Sequence, residues 1–140
     1  HDHAAVERVL TVTAQRLGDH LREADTPARL EGPSFAVALS PVRRLDLESV
    51  IQLAGRLQRA LSEPIAVGGF NVHPSVSIGF ALPARLPAPT GETLLQAATL
   101  ALIEAGRNGP AAIRSYSEAM RTRVATRNSL VEEVATALDR

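Results

Sequence analysis

The 140-residue chain has no cysteine, no lysine and no tryptophan, and one tyrosine with three phenylalanines brings its aromatic content to only 3%. Without thiols there is no disulfide, no thiolate nucleophile and no Cys-based zinc site. Without lysine there is no Schiff-base chemistry and no P-loop lysine, whereas planar bidentate recognition stays available because all fifteen cations are Arg. Fifteen acidic residues cancel them, so no global field gathers nucleic acid or an anionic membrane, and any anion site must be local. No apolar run nears the ~20 residues of a membrane span, and no signal-peptide pattern is present. The expectation is a cytoplasmic domain with no nucleic-acid partner and no direct membrane contact.

What the chain does have is a 45% hydrophobic content carried by Ala, Val, Leu and Ile, which suits Ala-lined helices packed on a sheet. A chain of this length buries roughly 70% of its unfolded surface, enough for one sizeable core. Ala4, Ala5, Val6, Val9, Leu10, Val12 and Leu17 recur at helical spacing, and residues 22–25 close that segment before Pro27. Two apolar runs at 28–30 and 35–39, separated by Glu31, Gly32, Pro33 and Ser34, read as a β-hairpin. A second amphipathic helix follows with Leu45, Leu47, Val50, Ile51, Leu53, Ala54, Leu57, Ala60 and Leu61. Ile65 to Val67, then Gly68-Gly69, then an alternating run from Phe70 to Leu82 reads as another hairpin, with Pro74 demoting one edge. Thr90 caps a third helix that ends at Gly106, residues 111–116 suit a short strand, and Ser117 caps a last helix reaching the end of the chain. The order predicts an α+β domain with a mostly antiparallel sheet flanked by helices. His1, His3, His20 and His73 have no partners at metal-ligand spacing and read as surface residues.

Three separated stretches, in order, carry a resemblance. Arg22 and Asp25 stand as R-x-x-D before Ala28-Arg29 and the turn Glu31-Gly32-Pro33-Ser34-Phe35. Ser75 to Phe80 looks like a strand of the S-x-G kind, and residues 98–116 look like a departing copy of an A-D-x-A-L-Y-x-A-K-x-x-G-R-N segment. Together with the opening His3 to Glu7, the chain resembles the GGDEF family, the diguanylate cyclase domains, over residues 1 to about 117. The resemblance implies a GGDEF-like (nucleotidyl cyclase-like) fold over 1–116, whose first strand, with its metal-binding aspartate, would lie upstream of His1. Residues 117–140 are similar to the helix that leads from a GGDEF domain into an EAL phosphodiesterase domain in tandem proteins. The implied partner is an EAL domain or a second copy of the chain; amphipathic spacing alone equally allows a helix folding back on its own sheet.

The departures decide the expected chemistry. Active members hold two divalent cations on hard oxygen ligands of the signature and first strand. Here Pro33 and Ser34 occupy the acidic positions, and Glu31 replaces a glycine whose missing side chain lets phosphate approach. The phosphate-holding Lys and Arg of the family correspond to Gly106 and Pro110. The reading is a degenerate signature, Glu31, Gly32, Pro33, Ser34 and Phe35, with no catalytic residue, no Mg²⁺ site and no cofactor. Glu7 stands where the family reads guanine, and its competing reading is an ordinary surface ion pair. The family's inhibitory site survives: Arg22 and Asp25 imply a cyclic di-GMP site, the arginine gripping guanine or phosphate and the carboxylate accepting from guanine N–H groups. Arg56, with Arg59 as substitute, resembles that site's additional arginine. The competing reading of Arg22 and Asp25 is a solvated arginine beside an aspartate that turns the chain. The expected function is a catalytically inactive regulatory module in cyclic di-GMP signalling. The competing classes are a nucleotide-independent dimerisation or scaffolding module and an active diguanylate cyclase.

Overall fold

A computed structural model of the chain describes residues 3–40 and 46–120. Helix α1 spans His3–Asp19 and buries Leu10, Val12 and Leu17. It stops short of the expected closing segment, and residues 20–25 form turns instead. Strands β1 (Thr26–Arg29) and β2 (Phe35–Ala38) pair antiparallel, with Thr26 opposite Ala38 and Arg29 opposite Phe35. Helix α2 (Leu47–Leu61) starts where the Asp46 carboxylate accepts from the Ser49 N–H at 2.7 Å, an N-cap that satisfies one of the donors a helix start leaves unpaired. Its apolar face, Val50, Leu53, Ala54, Leu57 and Leu61, is buried.

Strands β3 (Ile65–Val67) and β4 (Phe70–Val72) form a second antiparallel hairpin. The two-residue loop between them has φ +54° at Gly68 and +85° at Gly69, backbone that side-chain-bearing residues rarely adopt and that a type I′ turn demands. Here the sequence expectation needs correction, because the alternating run from Phe70 to Leu82 is not one strand. It breaks at His73-Pro74, where proline supplies no N–H for a ladder. Strand β5 (Ile78–Phe80) instead pairs parallel with β6 (Ile113–Ser115), with Ile78 opposite Ile113. The described residues thus hold three two-stranded sheets, two antiparallel and one parallel, in an α+β arrangement.

Helix α3 (Gly91–Arg107) connects β5 to β6. Thr90 and Thr93 form a reciprocal capping box, the Thr90 hydroxyl accepting from the Thr93 N–H at 3.1 Å and the Thr93 hydroxyl from the Thr90 N–H at 2.8 Å. The helix ends at Asn108, and Gly109 turns the chain with φ +124°. Ile78 packs with Phe35 and Val37 of β2 and with Leu39 just past it against Leu17, Leu53, Leu57 and Leu61 of α1 and α2. In a second cluster Tyr116 and Met120, beyond the end of β6, join Ala97 and Ala101 of α3. Gly79 touches α3 so closely that a Cβ there would lie 2.1 Å from the Leu102 nitrogen. Residues 121–140, including the expected connector residues Val124, Leu130, Val131, Val134 and Leu138, lie outside the described residues.

Candidate functional site

The hairpin β1–β2 carries the signature turn at its tip. Leu30 N–H donates to the Ser34 carbonyl at 2.9 Å, and Gly32 takes φ +72°. Glu31, Gly32 and Pro33 are exposed, while Ser34 and Phe35 are half-buried. The donors this chain offers at the turn are therefore one carboxylate and one hydroxyl. Mg²⁺ demands a near-octahedral set of oxygens, usually carboxylates together with substrate phosphate and water. Among the described residues no group of three or more His, Asp or Glu side chains is placed to hold a metal ion. The turn itself brings only the Glu31 carboxylate to such a set. Gly106 and Pro110, at the family's phosphate-binding positions, are exposed and offer no charge.

Glu7 projects from α1 toward β1, where Arg29 meets it in a fork, Nη2 to Oε1 at 3.1 Å and Nη1 to Oε2 at 3.4 Å. Donation from Arg29, then its positive charge, holds the Glu7 carboxyl below its ordinary value, with a smaller contribution from His3. This is the surface ion pair named above as the competing reading. Arg29, 22 residues away in sequence, has no local signal that announces it.

Arg22 and Asp25 share one turn. Asp25 N–H donates to the Arg22 carbonyl at 3.0 Å, and Arg22 N–H donates back to Asp25 Oδ2 at 2.9 Å. The other carboxylate oxygen, Oδ1, accepts from the Ser40 N–H at 2.7 Å. Asp25 is only 5% exposed, whereas the Arg22 side chain is exposed and makes no hydrogen bond or ion pair among the described residues. Leu21, beside Arg22, packs on the Leu53 and Leu57 cluster of α2. Arg56, next to the buried Leu57 in sequence, is exposed on that helix. Arg59 lies back along α2, its Nη1 3.5 Å from where a Cβ on Gly55 would stand. The structure therefore joins the backbone of Arg22 to Asp25.

Two further residues fix the scaffold and escaped the sequence reading. The Arg16 fork on α1 donates to the carbonyls of Glu63, through Nη1, and Pro64, through Nη2 at 2.7 Å, clamping the start of β3 to the helix. Ser40 supplies the amide that Asp25 holds. No helix among the described residues is long and apolar enough to cross a membrane.

The chain is similar to several known proteins. Diguanylate cyclase TpbB from Pseudomonas aeruginosa is 36% identical over 106 residues, which is 75% of this chain and 24% of TpbB. An uncharacterised signalling protein from Caulobacter vibrioides is 29% identical over 135 residues, 96% of this chain and 16% of that one. The chain thus spans about a quarter or less of the length of these relatives. Among solved structures, the isolated GGDEF domain of TpbB superposes with a TM-score of 0.78 at 32% identity, covering 87% of this chain and 70% of that one. An EAL/GGDEF domain protein from M. capsulatus gives 0.69 at 31%, covering 79% and 70%. The sequence profile of the diguanylate cyclase GGDEF domain matches residues 2–111, and with it this chain belongs to the GGDEF domain family.

Proposed function

We propose that the chain is a regulatory GGDEF module without cyclase activity, which binds cyclic di-GMP through the exposed Arg22 and conveys that occupancy to a neighbouring domain. The observation that carries the reading is the signature turn. Its acidic positions hold Pro33 and Ser34, and phosphoryl transfer depends almost wholly on positioning and charge stabilisation, which these residues do not provide. Glu7 is engaged by Arg29, and Gly106 and Pro110 bring no cation to a triphosphate. Arg22, by contrast, presents a guanidinium in solvent on a turn braced by its own hydrogen bonds, suited to a bidentate grip on phosphate or on guanine N7 and O6. The proposed neighbour is an EAL domain or a second copy, reached through residues 117–140; the M. capsulatus relative is an EAL/GGDEF domain protein.

A second reading, a scaffolding module that binds no nucleotide, draws support from the two carboxylates, since Asp25 and Glu7 are both engaged within the chain. The deciding experiment is a calorimetric titration with cyclic di-GMP and with GTP, each with Mg²⁺. Cyclic di-GMP is expected to bind, and Arg22→Ala to weaken it roughly ten- to hundred-fold, the worth of a charge-assisted contact. No heat and no thermal shift at high micromolar ligand favours the scaffold. No cyclic di-GMP is expected from GTP with Mg²⁺ or Mn²⁺, even from a version extended upstream to carry the family's first strand. Clear turnover that disappears in Glu31→Gln overturns the inactive reading.

A further inference from the structure

The inner face of α3, with Ala97, Ala101 and Ala105, is buried, and the helix is seated on β5 at Gly79. A helix that covers a sheet ordinarily turns charged and polar residues to water on its other side. The outer face of α3 instead carries Leu95 and Ile103, 43% and 47% exposed. They stand four residues to either side of Thr99, the middle residue of the helix, and positions four apart form one ridge on a helix surface. The two ends of the helix carry opposite charges, Glu92 in the first turn and Arg107 in the last. Arg107 meets Glu104 of its own helix only at 3.6 Å, beyond hydrogen-bond length. The Thr99 hydroxyl donates to the Leu95 carbonyl at 2.8 Å, so covering this residue leaves no orphaned donor.

We propose that this ridge is a self-association face, on which two copies of the chain pack α3 against α3, antiparallel, about a two-fold axis at Thr99. A two-fold contact needs a patch that complements itself, and this one does. Rotation about Thr99 lays Leu95 of one copy against the partner copy's Ile103, and the reverse, and brings Glu92 toward the partner copy's Arg107. Antiparallel packing also sets the positive N-terminal end of each helix beside a negative C-terminal end. A single helix pair buries less than the ~1,200 Å² at which stable complexes begin, so the dimer is of the transient class. It is independent of the nucleotide reading above, since neither Arg22 nor the signature turn lies on α3.

The absence of cysteine makes the register testable. Packed helix axes stand ~8–10 Å apart and Cα atoms lie about 2.3 Å from their axis, so two Thr99 Cα atoms on the two-fold face each other at roughly 3.5–5.5 Å, overlapping the ~4.4–6.8 Å that a disulfide spans. Thr99→Cys is expected to cross-link two copies under mild oxidation; Ile51→Cys, at a comparably exposed apolar position on α2, is expected not to. Sedimentation equilibrium of the unmodified 140-residue chain, from about 10 µM to about 0.5 mM, is expected to show a monomer–dimer equilibrium. Ile103→Glu is expected to weaken it at least about tenfold without lowering Tm, because a carboxylate four residues before Arg107 suits the helix. Leu95→Glu is expected to act alike and decides the matter should Ile103→Glu fold poorly. Glu92→Arg and Arg107→Glu are each expected to weaken the dimer and, combined, to restore it; a combination no better than either change alone overturns the antiparallel pairing. A chain that stays monomeric throughout that range overturns the proposal and leaves the ridge to a different partner. So does a dimer that survives both glutamate variants, or one in which Ile51→Cys cross-links as readily as Thr99→Cys.

Discussion

Gly79→Ala adds one methyl group where β5 meets α3. That Cβ would stand 2.1 Å from the Leu102 nitrogen, 2.6 Å from the Ala101 carbonyl carbon and 2.6 Å from the Ala98 oxygen. Non-bonded heavy atoms settle near ~3.5–4.0 Å, so helix and strand must separate by more than about 1 Å. All three neighbours are backbone, so no side-chain rotation relieves the clash. Moving the helix opens the layer of Ala97, Ala101, Tyr116 and Met120, in which Ala101 is 0% exposed. Overpacking of this kind costs about 1–3 kcal/mol and occasionally more, offset by roughly 0.5–1 kcal/mol from the lower chain entropy of alanine. With three backbone atoms in the way the cost falls at the upper end of that range, and the expected net loss is about 2 kcal/mol, a large share of the ~5–15 kcal/mol that stabilises such domains. In thermal denaturation this amounts to a fall of roughly 10 °C in Tm. Gly106→Ala is the control: it lies within α3 and a Cβ there meets nothing within 4 Å, so it is expected to hold or raise Tm. A Gly79→Ala protein within about 0.5 kcal/mol of wild type, the spread of ordinary surface changes, refutes this seating of helix on strand.

The Glu7 carboxyl is held below its ordinary 4.5 by Arg29, so the pair contributes stability above that pH and loses it as pH falls through the depressed folded value; denaturation of wild type and Glu7→Gln at descending pH should converge in the acid range. Arg16→Met removes both donors to the Glu63 and Pro64 carbonyls and is expected to cost about 1–2 kcal/mol in chemical denaturation, with Arg16→Lys recovering only part because an ammonium lacks the fork. Thr90→Ala removes the capping box of α3 and is expected to cost about 1 kcal/mol, while Thr90→Ser restores most of it; equal stability of all three proteins would show that the cap is dispensable.

Much of the fold was legible because its signals are local. The third helix announced its start through Thr90 and its end to within one residue of the expected Gly106, and the Gly68-Gly69 hairpin needed only two adjacent residues. The fate of Ile78 to Phe80 was not legible in the same way. Alternation assigned those residues to the hairpin of Ile65, and alternation says nothing about which strand lies alongside. What assigns them to β6 is the α3 crossover seated on Gly79, an interaction between segments about 20 residues apart that no window of periodicity samples. The same limit hid the Glu7–Arg29 pair and the Arg16 clamp, whose partners are 22 to 48 residues distant.

The R-x-x-D spacing illustrates a deeper limit. An aspartate three residues after a given position can return its carboxylate to that residue's N–H, which is a turn-forming property of Asp in any protein. Cyclic di-GMP recognition in this family uses the same two residue types at the same spacing, so the match in sequence carries two physical meanings at once. Burial separates them. An Asp that closes its own turn in solvent keeps all its remaining lone pairs open, whereas Asp25, 5% exposed, accepts from the Ser40 amide beyond β2 as well as from the Arg22 amide. Arg22 lies on the other side of that division: its amide belongs to the turn and its guanidinium to the solvent. A ligand arriving at this turn therefore meets a cation on a braced support, and the affinity it gains follows from how little ordering the support still requires.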